Sequence, residues 1–205
     1  MQPSQYEMLG MYKLIGTTKT RAMRPLWLLE ELELPYELIS AGPRSPEAMA
    51  ASPRGKVPVL ETDEGHIFDS VAQMTYLADK HGGFTHRAGT FLRGKQDALT
   101  NTINETFDAV LWAYAKHSLI LPEEHRVEAV KPSLMWQFTR YSEVMGEILG
   151  DRPFLMGDEP VVPDILLAHC CGWALGRKFE VDATVRKHMN TMRARPAFRR
   201  ASAHG

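Results

Sequence analysis

A proline set between two valines constrains this chain more than any other feature. The stretch Gly55-Lys56-Val57-Pro58-Val59-Leu60 reads as the approach to a strand, yet proline has no N–H to give to a sheet ladder. Pro58 therefore belongs at a strand start, at an edge or after a cis bond. Asp63-Glu64-Gly65 then reads as a turn between two apolar runs, the pattern of a short antiparallel hairpin. The second run ends at Asp69-Ser70, just before Val71-Ala72-Gln73-Met74-Thr75-Tyr76-Leu77, which predicts a helix capped by Asp69 or Ser70. A helix start gathers unpaired N–H groups and can hold an anion. Taken alone, the stretch reads equally as a loop proline with a routine cap or as a built binding surface.

At 205 residues the chain holds one large domain or two small ones. Lys plus Arg number 24 against 25 for Asp plus Glu, so a net charge of -1 offers no overall footprint for nucleic acid or an anionic membrane. No apolar run approaches the roughly 18 residues of a membrane span, and the first ten residues lack a basic start followed by an apolar core. A cytoplasmic location is the expectation. Cys170 and Cys171 are adjacent in an apolar helical pattern and too few for a disulfide framework or a zinc site, so they are expected to be buried free thiols.

Residues 1–10 show no periodicity and read as a flexible leader. Tyr12-Lys13-Leu14-Ile15-Gly16 reads as a first strand and Thr17-Thr18-Lys19-Thr20 as a polar turn. A helix follows from Arg21, with Pro25 near its first turn and Pro35 ending it. Tyr36-Glu37-Leu38-Ile39 is a second strand, expected parallel to the first through a right-handed crossover. One helical turn fits around Glu47 to Ala51, and the hairpin and its helix complete β-α-β followed by β-β-α. Gly82, Gly83 and Gly89 mark the domain boundary, which predicts an N-terminal domain over 11–82, a linker over 83–89 and an all-helical domain over 90–205. Within the latter, helices are predicted over 90–117, around Leu134 to Ile148, over 162–176 and over 185–192, with a short tail after Pro196. The Glu30-Glu31 pair and the cluster from Arg193 to Arg200 read as solvated faces.

Several common sites are missing from the sequence: no glycine-rich phosphate loop, no G-x-S-x-G elbow, no histidine pair at helical metal-ligand spacing. His81 and His86, on either side of Gly82-Gly83, read as surface histidines, and His169 as a satisfied core histidine. No metal is expected.

The order βαβ-ββα followed by an all-helical half, together with three ordered segments, resembles the glutathione S-transferase family, of serine or threonine type and bacterial-like. Lys56-Val57-Pro58-Val59-Leu60 is similar to the family's cis-proline strand, Asp69-Ser70 to its acidic residue and serine, and Gly157-Asp158 with Asp164-Ile165 to its sixth-helix motif. The resemblance covers about Tyr12 to Ala201. It implies a thioredoxin-like α/β domain followed by a helical bundle, a homodimer, and a detoxifying transfer of the glutathione thiolate to a hydrophobic electrophile.

Glutathione carries carboxylates, an amino group and a thiol, and each needs its own partner. The Val57 backbone, held by Pro58, suits pairing with the cysteinyl residue as an added strand would. Ser70 and its helix start suit the γ-glutamyl carboxylate, Asp69 the amino group, and Lys56 the glycyl carboxylate or simply water. The thiol must ionise to attack, and the turn before the first helix is where the resemblance places a hydroxyl donor. Aligned through Arg21 to Trp27 that position is Thr20, with Thr17 and Thr18 in reserve; the alternative is that Thr20 only caps the turn. Members that reduce disulfides place a cysteine at this turn, and here there is none. Trp112, Tyr114, His117 and Trp173 are the candidates to line the electrophile's pocket, although aromatic residues at helical spacing also serve as core. The sixth-helix motif has Val161 where the family has a hydroxyl cap, so only the Asp164 half of a capping box is expected. A non-catalytic glutathione-binding scaffold, or a glutathione-dependent isomerase or peroxidase, are the alternative functions.

Overall fold

The computed structural model describes residues 11–205; the leader expected at 1–10 lies outside them. The chain divides into two compact units, one running through Thr85 and taking in Ala194–Gly205, the other spanning His86–Arg193.

The first unit is built on a four-stranded mixed sheet of order β2-β1-β3-β4. Strand β1 (Tyr12–Ile15) pairs in parallel with β2 (Tyr36–Ile39), Leu14 opposite Leu38. Between them lies α1 (Met23–Glu31), the crossover that a parallel pair requires. After the short α2 (Pro46–Ala51), β3 (Val59–Thr62) returns antiparallel to β1 with Leu60 opposite Leu14. The hairpin closes through Asp63-Glu64 into β4 (Gly65–Phe68), an edge strand. Helix α3 (Ser70–His81) then packs on α1. Leu14, Leu26, Leu28, Leu29, Val59, Leu60, Met74 and Leu77 are all fully buried, and each contributes about 1.5–3 kcal/mol of apolar burial. The architecture is the expected thioredoxin-like one. Helix α1 stops four residues before Pro35: Glu33, at φ 52°, turns the chain, and the proline instead precedes β2.

In the second unit the long helix expected over 90–117 is broken twice. Helix α4 (Phe91–Ile103) passes into a π-helical turn (Asn104–Asp108), then α5 (Ala109–Ala115), then a second π turn (Lys116–Ile120). Each π turn adds a residue to the helical round and rotates the downstream residues onto a new face, a change that hydrophobic spacing does not reveal. Helices α6 (Lys131–Leu149), α7 (Val162–Gly176) and α8 (Ala183–Arg193) follow close to the predicted positions. The core is a chain of edge-to-face rings, Phe107 on Phe138 at 5.1 Å, Phe138 on Phe179 at 5.2 Å and Tyr114 on Phe179 at 4.9 Å. Cys170 and Cys171 are buried thiols outside any disulfide, and burial pushes the Cys171 thiol well above its ordinary value.

The half capping box at α7 is present: Asp164 Oδ2 accepts from the Val161 N–H at 2.8 Å. The missing hydroxyl is offset by the other carboxylate oxygen, which accepts from Leu155 N–H at 2.9 Å and pairs with His188 Nε2 at 2.7 Å in full burial. His169 is half-buried rather than a core residue.

Two expectations fail at the same place. The Glu30-Glu31 pair is not a solvated face: the Glu31 side chain is 6% exposed and holds Arg195, while Glu30 holds Arg200. The residues after Ala194 do not join the helical domain. They form α9 (Pro196–Ser202), whose Ala197 and Ala201 are buried and whose Phe198 meets Trp27 edge-on at 4.7 Å, within the first unit. A proline-bounded tail of seven helical residues has too little periodicity to declare which surface it covers.

Candidate functional site

The Val57–Pro58 peptide bond is cis. It brings the chain into β3, so that Val59 is paired while Val57, half-buried, keeps its N–H and C=O free of backbone partners among the described residues. Such an edge can accept an extended peptide by main-chain pairing. Pro58 is locked from behind. Its carbonyl accepts from Gln73 Nε2 at 3.1 Å, and the same amide reaches the Ile67 carbonyl at 2.8 Å, so one buried side chain of α3 ties together both strands of the hairpin. Lys56 is exposed beside it.

Asp69 is the cap of α3. It sits at φ 70°, a region that Asp tolerates better than most residues, and its Oδ1 accepts from Val71 N–H at 2.8 Å and Ala72 N–H at 3.2 Å. Asp69 is exposed, and a carboxylate at this position suits an ammonium group. Ser70 is turned inward and is 2% exposed; its Oγ accepts from Arg24 Nη1 at 3.1 Å. Accepting that bond leaves the hydroxyl proton of Ser70 to be donated, and places a guanidinium charge under the start of α3.

The turn before α1 is arranged differently. Thr20 Oγ1 donates to the Thr17 carbonyl at 2.8 Å and accepts from Ala22 N–H at 3.2 Å. The Thr20 N–H also bonds the Thr17 carbonyl, at 3.0 Å. No side chain caps α1 at Ala22. Thr17 and Thr18 are half-buried in the same turn. The Thr20 hydroxyl therefore serves its own turn, and giving its proton to a sulfur means releasing Thr17.

The remaining candidates belong to the second unit. Tyr114 lies between Phe179 and the Lys131 ammonium, which stands 5.8 Å from its ring centre. His117 Nδ1 accepts from the Val127 N–H at 3.1 Å, holding the loop after the second π turn. Trp112 and Trp173 are half-buried.

Sequence reasoning missed Arg24 and Gln73. Both left a trace: a lone cation within the buried run Met23 to Leu29, and a lone amide between Ala72 and Met74. A polar side chain at a core position is a functional or structural pin far more often than an accident, because burying it unpaired is costly. Elsewhere the unit carries a second polar pair, partly buried. Tyr12 shares a 2.8 Å hydrogen bond with His81 Nε2, and burial pushes its phenol up to about 12; burial and then Lys80 lower His81.

Residues 20–80 match the family model for the glutathione S-transferase N-terminal domain. The chain is 29% identical over 146 residues to elongation factor 1-gamma of Trypanosoma cruzi, a match covering 69% of this chain and 34% of that protein. It is 25% identical over 195 residues to maleylacetoacetate isomerase of Pseudomonas aeruginosa, covering 93% and 92%. The chain spans about a third of the length of the first curated relatives that it matches. Among solved structures, glutathione transferase URE2P6 from Phanerochaete chrysosporium in complex with oxidized glutathione superimposes with a TM-score of 0.82 at 19% identity, covering 95% of this chain and 96% of that one.

Proposed function

We propose that this chain, whose residues 20–80 are a glutathione S-transferase N-terminal domain and whose fold is that of the family, binds glutathione and adds its thiolate to a hydrophobic electrophile. One observation carries the reading: the unpaired backbone of Val57 beside cis Pro58, next to an α3 start capped by Asp69 and underlain by Arg24. In this reading the cysteinyl residue pairs with Val57 as a short added strand. The γ-glutamyl ammonium meets the carboxylate of Asp69, the γ-glutamyl carboxylate takes the proton of Ser70, and the glycyl carboxylate meets Lys56. The sulfur then lies toward the turn of Thr17, Thr18 and Thr20, where a hydroxyl donor and the first N–H groups of α1 favour thiolate. The thiolate attacks the electrophilic carbon, whose leaving group departs with the bonding electrons. Trp112, Tyr114, His117 and Trp173 of the helical unit are the candidates to hold the electrophile, in a homodimeric, cytoplasmic enzyme.

The test is conjugation of an aryl halide, with glutathione affinity measured separately by calorimetry. Wild type is expected to turn over, and Thr20→Ala to lose about ten-fold or more in kcat. Equal rates would remove Thr20 from the chemistry. A second reading, a non-catalytic glutathione-binding protein, is favoured by the commitment of the Thr20 hydroxyl to Thr17. Calorimetric binding without turnover of any electrophile selects it, and no binding at all sinks both.

A further inference from the structure

The residues Ala194–Gly205 do more than cover α1. At the far end of that helix Arg195 grips Glu31 with a two-pronged fork, Nε to Oε1 at 2.7 Å and Nη2 to Oε2 at 2.8 Å. The same carboxylate accepts from Trp27 Nε1 at 3.0 Å, and the Trp27 ring rests on Phe198. Arg200 repeats the grip one residue earlier, donating to Glu30 Oε2 at 2.5 Å and to the Glu30 carbonyl at 2.7 Å, one of the last carbonyls of α1. Past α9, His204 Nε2 meets the Tyr36 hydroxyl at 2.9 Å, and that hydroxyl donates to Glu30 Oε1, still at the end of α1 that Arg200 holds. One residue on, a Cβ added to Gly205 would run into Thr18 Oγ1, in the turn before α1. One segment thus touches the end of α1 and the turn that precedes it, which nine helical residues hold about 13 Å apart.

We propose that Ala194–Gly205 is a strap that positions the Thr17–Thr20 turn, with Arg195 and Arg200 as its positioning residues. The two ion pairs fix α9 along α1, and the segment after α9 then seats against Thr18. Because the Thr17 carbonyl accepts the Thr20 hydroxyl, a displacement of Thr18 moves the acceptor that decides where the Thr20 proton points. The strap's hydrogen bonds at Arg195, Arg200 and His204 go to Glu30, Glu31 and Tyr36 rather than to Lys56, Val57 or Asp69, so it is expected to act on reactivity and not on affinity. Its consequence for reaction rests on the glutathione transfer proposed above; its effect on the turn does not.

The experiment compares wild type with the double variant Arg195→Gln, Arg200→Gln and with Gly205→Ala, whose new methyl group presses directly on Thr18. Amide hydrogen exchange across Thr17–Met23 is expected to speed up about ten-fold or more in the double variant, with β1 and α3 unchanged. Conjugation is expected to lose about three- to ten-fold in kcat, with KM for glutathione within about two-fold, since small misplacements of a reacting group are costly in rate. Unchanged exchange in the turn overturns the strap and leaves the transfer reading standing. A rise in KM at constant kcat overturns it too. Should the double variant fail to fold, Gly205→Ala carries the same two readouts, and unchanged exchange or a rise in KM alone overturns the strap there as well. Glutathione binding without turnover in wild type removes the transfer reading, and the exchange rates then decide the strap alone.

Discussion

Helices α1 and α3 lie side by side in one unit and begin with the same kind of residue, a hydroxyl beside the first turn, yet the two starts are built in opposite ways. At α3 a carboxylate caps two N–H groups, a buried amide clamps the strands behind it, and a buried guanidinium feeds the serine oxygen. At α1 no side chain caps the helix, and the threonine hydroxyl is committed to the carbonyl three residues back. The difference is one of available protons. Ser70 accepts from Arg24 and so keeps its own proton to give, from a buried position; Thr20 spends its proton on Thr17 until its turn rearranges. The start of α3 is capped by a side chain and the start of α1 is not.

Gln73→Ala strikes this contrast hardest. It leaves two carbonyls of the hairpin without their donor, and an unpaired buried acceptor costs about 1–3 kcal/mol, so a loss of about 2–4 kcal/mol is expected in urea unfolding. Glutathione affinity should fall with it. A loss under about 1 kcal/mol would mean that the hairpin is held without the clamp. Tyr12 meets the far end of α3 at His81, and pH tests the burial of its phenol. The Tyr12 phenol ionises near 10 in the unfolded chain and near about 12 in the folded one, so the unfolded state gives up its proton first. Stability is therefore complete below about 10 and lost as pH rises toward 12, by about 1–2 kcal/mol for this group. Tyr12→Phe should flatten that alkaline limb relative to wild type. Asp69→Ala comes next: losing a cap of two N–H groups costs about 1 kcal/mol, while Asn in its place should restore most of it.

Much of the α3 side was legible from sequence because it is written in local signals. A proline between valines, a turn dipeptide and an acidic cap each act within a few residues, and their positions matched the strands and helix found. What sequence hid was long-range. Arg24 and Ser70 are 46 residues apart, Arg195 and Glu31 are 164, and neither pairing leaves a period or spacing to read. The Glu30-Glu31 pair looked like solvated charge because its partners arrive only with α9. Likewise the two π turns sit inside an unbroken helical pattern, and nothing in apolar spacing marks an added residue. Local chemistry predicted the hairpin and the helix start; the pairings that arrive from distant residues it did not.

Thr20 is where the smallest change in stability carries the most information. Thr20→Ser keeps both hydrogen bonds and removes only a methyl group, so folding should change by less than about 0.5 kcal/mol. The hydroxyl gains a rotamer, because the β-branch no longer restricts χ1. If the threonine proton must leave the Thr17 carbonyl for a sulfur, that freedom lowers the cost of the exchange, and kcat for conjugation should rise while glutathione affinity holds. Thr20→Val is the counterpart: it keeps the shape, deletes both bonds, and should cost about 0.5–1 kcal/mol of stability along with the activity. Valine with a normal rate and serine with an unchanged one would make Thr20 a turn former only. The two helix starts would then divide the work completely, α3 binding and α1 supplying no more than its N–H groups.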